Sequence, residues 1–223
     1  MKEPNATAGP SPTTPSVVID VWSDYVCPFC WLEAPVLDRV RARFGDAVAV
    51  VWHAFELRPE PQPTLDPAGE YLRSTWARAV YPMAAERGMA LKLPPVQPRS
   101  RKAFEATAFA HDAGRGEAMR EALFRAFFED GRDIGHDDVL VDVGRAVGLD
   151  GDALATALAR GKHTARVLDD ERAAERLGVR GVPLMVVRRA DEPLHAGLPL
   201  SGAQPAEAVE AAVAQRLCGG PAG

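Results

Sequence analysis

The sequence predicts an α/β fold with a large all-helical insertion between its second and third strands. Three observations predict it. Val17–Trp22 and Val48–Phe55 are short, β-branched, mostly apolar runs that flank a stretch with helical spacing. From about Leu65 to Leu177 nothing reads as a strand, and helical segments follow one another. After Gly178 the pattern switches back, with Val182–Val187 opening at a proline.

Taken in order, the first strand is Val17–Trp22, followed by the connection Ser23-Asp24-Tyr25-Val26. A helix opens near Cys27-Pro28 and runs to about Phe44, with Leu32, Val36, Leu37, Val40 and Phe44 as its inner face. Pro28 suits the first helical position, Pro35 should bend the helix, and Gly45 ends it. Val48–Phe55 is the second strand, so the front of the chain reads as parallel strands joined by a right-handed crossover. Pro59–Pro63 is a break. Helices are then expected from Asp66 towards Arg87-Gly88, from Ser100 to Gly114, and over about 116–130, 137–147, 151–160 and 163–177. Gly131, Gly148, Gly161 and Gly178 stand as C-caps of the last four. A strand from Val182, a polar turn at Arg188–Pro193 and a returning strand at Leu194–Leu200 make a hairpin, and a last helix runs from about Ala206 to Leu217.

The organisation that follows is a disordered lead-in at 1–16, a discontinuous α/β domain from 17–63 and 177–217, an inserted helical domain at 64–176 and a flexible tail at 218–223. With 47% hydrophobic and 26% charged residues the chain is expected to be globular rather than disordered. No uncharged apolar run approaches the roughly 18 residues of a membrane span, and a net charge of −5 without a basic block argues against nucleic acid or an anionic membrane as partner. The first 16 residues lack a basic stretch followed by an apolar one, so the expected location is cytoplasmic. Three cysteines cannot form a secreted disulfide framework.

Cys27-Pro28-Phe29-Cys30 is the strong chemical signal. If Cys27 is the N-cap of a helix, Cys30 lies one turn in. Cβ atoms at that spacing are about 5–6 Å apart, and a small rotamer adjustment closes a disulfide. The Cys27 sulfur would then face the free N–H groups of the first turn, where those donors and the helix dipole favour thiolate over thiol. Cys27 is therefore expected to be the attacking nucleophile and Cys30 the resolving thiol, and stabilising the Cys27 thiolate makes the disulfide a better oxidant.

A strand, this Cys-Pro-Phe-Cys at a helix start and a proline five residues beyond the second cysteine resemble a thioredoxin-type fold. The long helical insertion resembles the DsbA family. Ser23–Trp31, Phe55-Glu56-Leu57-Arg58-Pro59, Ser100-Arg101-Lys102-Ala103 and Ser201-Gly202-Ala203-Gln204 resemble its FrnE-like branch, and the resemblance covers Val17 to Leu217. It implies a thiol–disulfide oxidoreductase, in which a mixed disulfide forms at Cys27 and Cys30 resolves it. It also implies a cis Val182–Pro183 bond before the third strand, with Pro183 beside the cysteines and the Val182 backbone free to pair with an extended substrate. Pro28, Phe29, Val182 and Trp31 are assigned to substrate binding, although Trp31 reads equally as core. The redox-active group is the cysteine pair itself, with no cofactor or metal, and glutathione stands as a conceivable co-substrate. Partners are a disulfide- or thiol-containing protein or a small molecule, and the chain acts as a monomer or a homodimer. Two departures from the family pattern stand out: Pro28-Phe29 lacks the His of the periplasmic oxidants, and Leu184-Met185 is bulkier than Thr-Phe.

Alternatives remain open at this stage. The chain more weakly resembles glutathione-dependent isomerases and kappa-type transferases, which carry Ser where Cys27 stands. A redox-sensing or zinc-binding interaction module is the other reading; four-ligand zinc would need two more ligands beside the pair, and only Cys218 and five scattered histidines remain. Cys218 is read as a residue of the last helical turn, His53 as a satisfied core or edge histidine, His136 as a helix start, and Asp24 as a turn or capping residue near the thiols. Phe124, Phe127 and Phe128 are read as core, and Arg188-Arg189 as a solvated hairpin tip.

Overall fold

The computed structural model describes residues 14–218. The central strand β1 (Val17–Ser23) pairs in parallel with β2 (Val48–Ala54), with Val17 opposite Val48 and Ser23 opposite Ala54. On its other side β1 pairs antiparallel with β3 (Leu184–Arg189), which in turn pairs antiparallel with β4 (Leu198–Ser201). The strand order is β2-β1-β3-β4. Every residue of β1 is buried, as expected of a strand with neighbours on both sides and helices over both faces.

Between β1 and β2 the expected single bent helix is two helices, α1 (Pro28–Leu32) and α2 (Ala34–Phe44), meeting at Glu33. Pro35 is the reason: it has no N–H to continue the ladder and instead takes a first-turn position of α2. Ser16, expected in the disordered lead-in, is tied to the sheet, accepting a hydrogen bond from the Ala190 N–H at 2.9 Å and donating its own to the Ala47 carbonyl at 3.0 Å. Residues 1–13 of the lead-in and residues 219–223 of the tail lie outside the described residues.

The helical block between β2 and β3 comprises α3 (Glu70–Thr75), a π-helical turn (Trp76–Val80), α4 (Tyr81–Glu86), α5 (Arg101–Asp112), α6 (Gly116–Phe128), α7 (Asp137–Ala146), α8 (Gly151–Ala159) and α9 (Thr164–Arg176). Its first helix starts at Glu70 rather than at Asp66. The Asp66 carboxylate is occupied by the Ala68 N–H (2.9 Å), and the Asp66 carbonyl by the Gly69 N–H, so this segment closes a turn of its own. Gly131, Gly148, Gly161 and Gly178 all have positive φ, the left-handed C-cap conformation their spacing predicted. The third strand begins at Leu184, two residues later than expected, and β4 is shortened by a 3-10 turn at Leu194–Ala196. The last helix, α10 (Ala206–Cys218), reaches one residue into the expected tail.

Two cores result. Val17, Ile19, Val21, Met185 and Val187 point from the sheet to α2 and α10, meeting Leu37, Val40, Val209 and Val213. The other, larger core contains Tyr25, Cys27, Cys30, Trp31 and Leu32 together with Phe104, Leu123, Phe124, Phe127, Leu140 and Leu154 of the helical block. The cysteine motif thus lies in the seam between sheet and insertion. Phe124, Phe127 and Phe128 are buried there, as core residues.

Candidate active site

Cys27 occupies the N-cap of α1 with extended backbone angles (φ −93, ψ 111), and Pro28 follows in the first turn. The Cys30 and Trp31 N–H groups close back on the Cys27 carbonyl at 3.1 and 3.4 Å, which sets the first turn and brings Cys30 beneath Cys27. The Cys27 sulfur does not cap the helix as its position led us to expect. It points across the seam to the carbonyl oxygen of Val182, 3.5 Å away, which accepts a hydrogen bond from the thiol. The Val182–Pro183 bond is cis. The turn 201–205 closes against Pro183: its carbonyl accepts the Gly202 N–H at 2.8 Å, and Gly202 has φ 77, a conformation that favours glycine.

Cys30 is fully buried. Its sulfur accepts the Asp24 N–H at 3.5 Å. Burial, reinforced by the hydrogen bond and charge of Cys27, pushes the Cys30 thiol well above its ordinary pKa. Of the pair, Cys30 is therefore the sulfur held protonated.

Asp24 lies wholly inside the protein. Burial pushes its carboxyl up to about 6, with the negative Glu56 adding to the effect and hydrogen bonds from Ser100, Leu57 and Val26 opposing it. Its two oxygens accept the Val26 N–H at 3.3 Å, closing a turn, and the Leu57 N–H at 2.7 Å, fastening the loop after β2 to the cysteine connection. Behind it, Arg101 bonds Glu56 and approaches Glu171 at 3.4 Å. Burial and the neighbouring Glu56 raise Glu171 to about 7. Arg101 thus joins Glu56 of the loop after β2 to Glu171 of the insertion.

His53 sits one strand away, its Nε2 2.9 Å from Asp20 and its Nδ1 2.9 Å from Asp170, stacked on Trp22 with ring centroids 4.6 Å apart. It is the satisfied histidine the sequence suggested, and it does not line the space beside Cys27. Arg188 is not a solvated tip residue: it reaches inward to Asp20 at 2.7 Å, since a buried carboxylate at β1 needs a cation on the adjacent strand. His136 is the N-cap of α7, and Cys218 is exposed at the end of α10. Among the described residues no group of three or more His, Cys, Asp and Glu side chains is placed to hold a metal ion, and no helix is long and apolar enough to cross a membrane.

A cavity of about 360 Å³ opens beside Cys27. Pro28, Phe29 and Val182 line it as expected. Trp31 does not: it turns into the core and stacks on Phe124, centroids 5.2 Å apart. Sequence reasoning missed other lining residues, among them Arg58, Leu65, Tyr71, Trp76 and Arg180. Tyr71 lies on α3 and Trp76 opens the π-helical turn after it, and no motif marks Arg180 except its position two residues before Val182.

The family described as DSBA-like thioredoxin domain matches residues 18–214. The uncharacterized protein YwbO of Bacillus subtilis is 38% identical over 146 residues, covering 64% of this chain and 72% of YwbO. Among solved structures, the "probable DsbA oxidoreductase SCO1869" of Streptomyces coelicolor superposes with a TM-score of 0.75 at 28% identity, covering 93% of each chain. A 2-hydroxychromene-2-carboxylate isomerase superposes with a TM-score of 0.70 at 19% identity, covering 90% of this chain and 96% of its own.

Proposed function

This chain belongs to the DsbA-like thioredoxin domain family, and from that premise we propose that it is a thiol–disulfide oxidoreductase whose redox group is the Cys27–Cys30 pair. One observation carries the reading: the Cys27 sulfur, at the start of α1, faces the Val182 backbone at the mouth of a cavity, with the protonated Cys30 thiol buried directly behind it. Cys27 attacks one sulfur of a substrate disulfide, the substrate S–S bond breaks, and one thiol leaves with a proton. Cys30 then loses its proton and attacks the Cys27 sulfur, releasing the second thiol and leaving the protein pair oxidised. The reverse sequence passes a disulfide to a dithiol. Val182 and Pro183 form the docking edge, and Pro28 and Phe29 the rim of the cavity. Trp31 acts from the core, holding α1 in place.

A glutathione-dependent isomerase on this scaffold is the less favoured reading. The likeness to the isomerase, at 19% identity, speaks to the fold alone, and an isomerase that only holds a thiol has no use for a second buried sulfur beneath the first. The test is turnover of insulin and of glutathione disulfide by the wild type, Cys27→Ser and Cys30→Ser. Loss of turnover in both variants is expected; unchanged turnover without Cys27 would end the proposal.

A further inference from the structure

The cavity beside Cys27 carries an unusual balance of charge. Arg58 and Arg180 are exposed and line it, and no carboxylate does. The chain as a whole is net negative, at −5. Arginines nearby are already engaged: Arg99 approaches Glu60 at 3.4 Å, and Arg101 bonds Glu56. Arg58 and Arg180 make no ion pair among the described residues.

Their backbones are tethered to the reacting centre from two sides. Arg58 follows Leu57, whose N–H is held by Asp24 three residues before Cys27, and the Arg58 carbonyl is fixed by Arg99 at 2.8 Å. Arg180 stands two residues before Val182, whose carbonyl faces the Cys27 sulfur. The remaining wall is apolar or neutral, with Phe29, Leu65, Tyr71 and Gln97 among its residues. At about 360 Å³ the cavity is in the range of sites that enclose a small molecule rather than bear on a flat protein surface.

We infer that this cavity selects small disulfides and thiols that carry carboxylates, with Arg58 and Arg180 as the specificity-determining residues. The inference rests on the oxidoreductase reading and adds the substrate class to it. A carboxylated disulfide docks with its anionic ends at the two guanidinium groups and a sulfur at Cys27. Oxidation of the Cys27–Cys30 dithiol then reduces it to two carboxylated thiols. Selection is electrostatic, so it weakens as salt shortens the screening length to a few ångströms.

The test mixes the reduced protein with dithiodipropionate, hydroxyethyl disulfide or cystamine, which are anionic, neutral and cationic respectively. Oxidation of the Cys27–Cys30 pair is followed by acid quench and mass spectrometry. Each rate is divided by that of dithiothreitol with the same disulfide, which removes intrinsic reactivity. The expected ratio is about fivefold higher for the anionic than for the neutral disulfide, and lowest for cystamine, with the spread shrinking in high salt. Arg58→Gln with Arg180→Gln should bring the three ratios together, while Arg58→Lys with Arg180→Lys should keep them apart. Three equal ratios in the wild type, or a spread that survives the Gln pair, would overturn the inference and leave the oxidoreductase reading standing. No oxidation by any of the three would overturn that reading instead.

Discussion

The Cys27 sulfur and the Val182 carbonyl oxygen lie 3.5 Å apart although 155 residues separate them in the chain. The contact joins the first crossover to the entrance of β3 across the whole insertion. It leaves Cys30 enclosed on the inner side, fully buried and held protonated by burial and by its neighbour. The two thiols should therefore differ in reactivity. Iodoacetamide at neutral pH is expected to modify Cys27 and the exposed Cys218 at least about tenfold faster than Cys30, since only the thiolate reacts. Peptide mapping of alkylated protein reads this directly, and comparable labelling of Cys30 would contradict it.

Asp24 should tie stability to acid pH. Its folded carboxyl is pushed up to about 6 from 3.8 by burial, so the native state binds that proton more tightly than the unfolded chain does. The stabilisation is complete below the unfolded value and is lost as pH rises through about 6. Two pKa units correspond to about 3 kcal/mol. Urea unfolding across this window should show the wild type losing about that much relative to Asp24→Asn on going from acid to neutral pH. Parallel profiles for the two proteins would rule it out.

His53 should act at the other end of the scale. Burial disfavours its charge, but hydrogen bonds to Asp170 and Asp20 outweigh it and raise the imidazole to about 9 from 6.5. The contribution is present below the unfolded value and is lost as pH climbs through about 9. His53→Gln should cost about 3 kcal/mol at pH 6, and much less at pH 10. The melting temperature of the two proteins against pH measures this; a gap that does not narrow in alkali would refute it.

Arg87 links three pieces of the active-site scaffold. Its guanidinium bonds the Leu32 carbonyl at the end of α1, the Glu33 carboxylate at 3.1 Å and the Gln204 carbonyl at 2.7 Å. Glu33 is fully buried, and its other attachment is the Gln204 N–H at 3.0 Å. Arg87→Leu strands that carboxylate and should destabilise the fold by about 3–5 kcal/mol, whereas Arg87→Leu with Glu33→Leu should recover much of the loss. Chemical denaturation of the two variants decides: an equal loss in both would mean that the pairing is not the cause.

Most of the fold was legible because its signals are local. Two β-branched runs, the glycines at helix ends and the proline opening the third strand each act within a few residues, and each fell where its chemistry required. The cysteine motif was legible for the same reason. What escaped depended on distant partners. The helix start at Glu70 hinged on Asp66 choosing a turn, a competition between two sets of backbone hydrogen bonds that composition does not decide. Arg188 looked like a surface residue because nothing near it in sequence shows that Asp20, 168 residues away, is buried and needs a cation. The direction of the Cys27 sulfur likewise depended on Val182, and the positive lining of the cavity on two arginines at opposite ends of the insertion.

The insertion also lends Asp170 to His53 and the Ala54 N–H on β2, and Thr107 to the Tyr25 hydroxyl just ahead of Cys27. Anyone wishing to graft a foreign helical cap onto this sheet, to change what the cysteines act upon, would therefore strip an edge strand of its counterion and the motif of its anchor in one cut. Transplants that carry residues 101–176 as a unit keep these contacts together; piecemeal swaps of single helices do not.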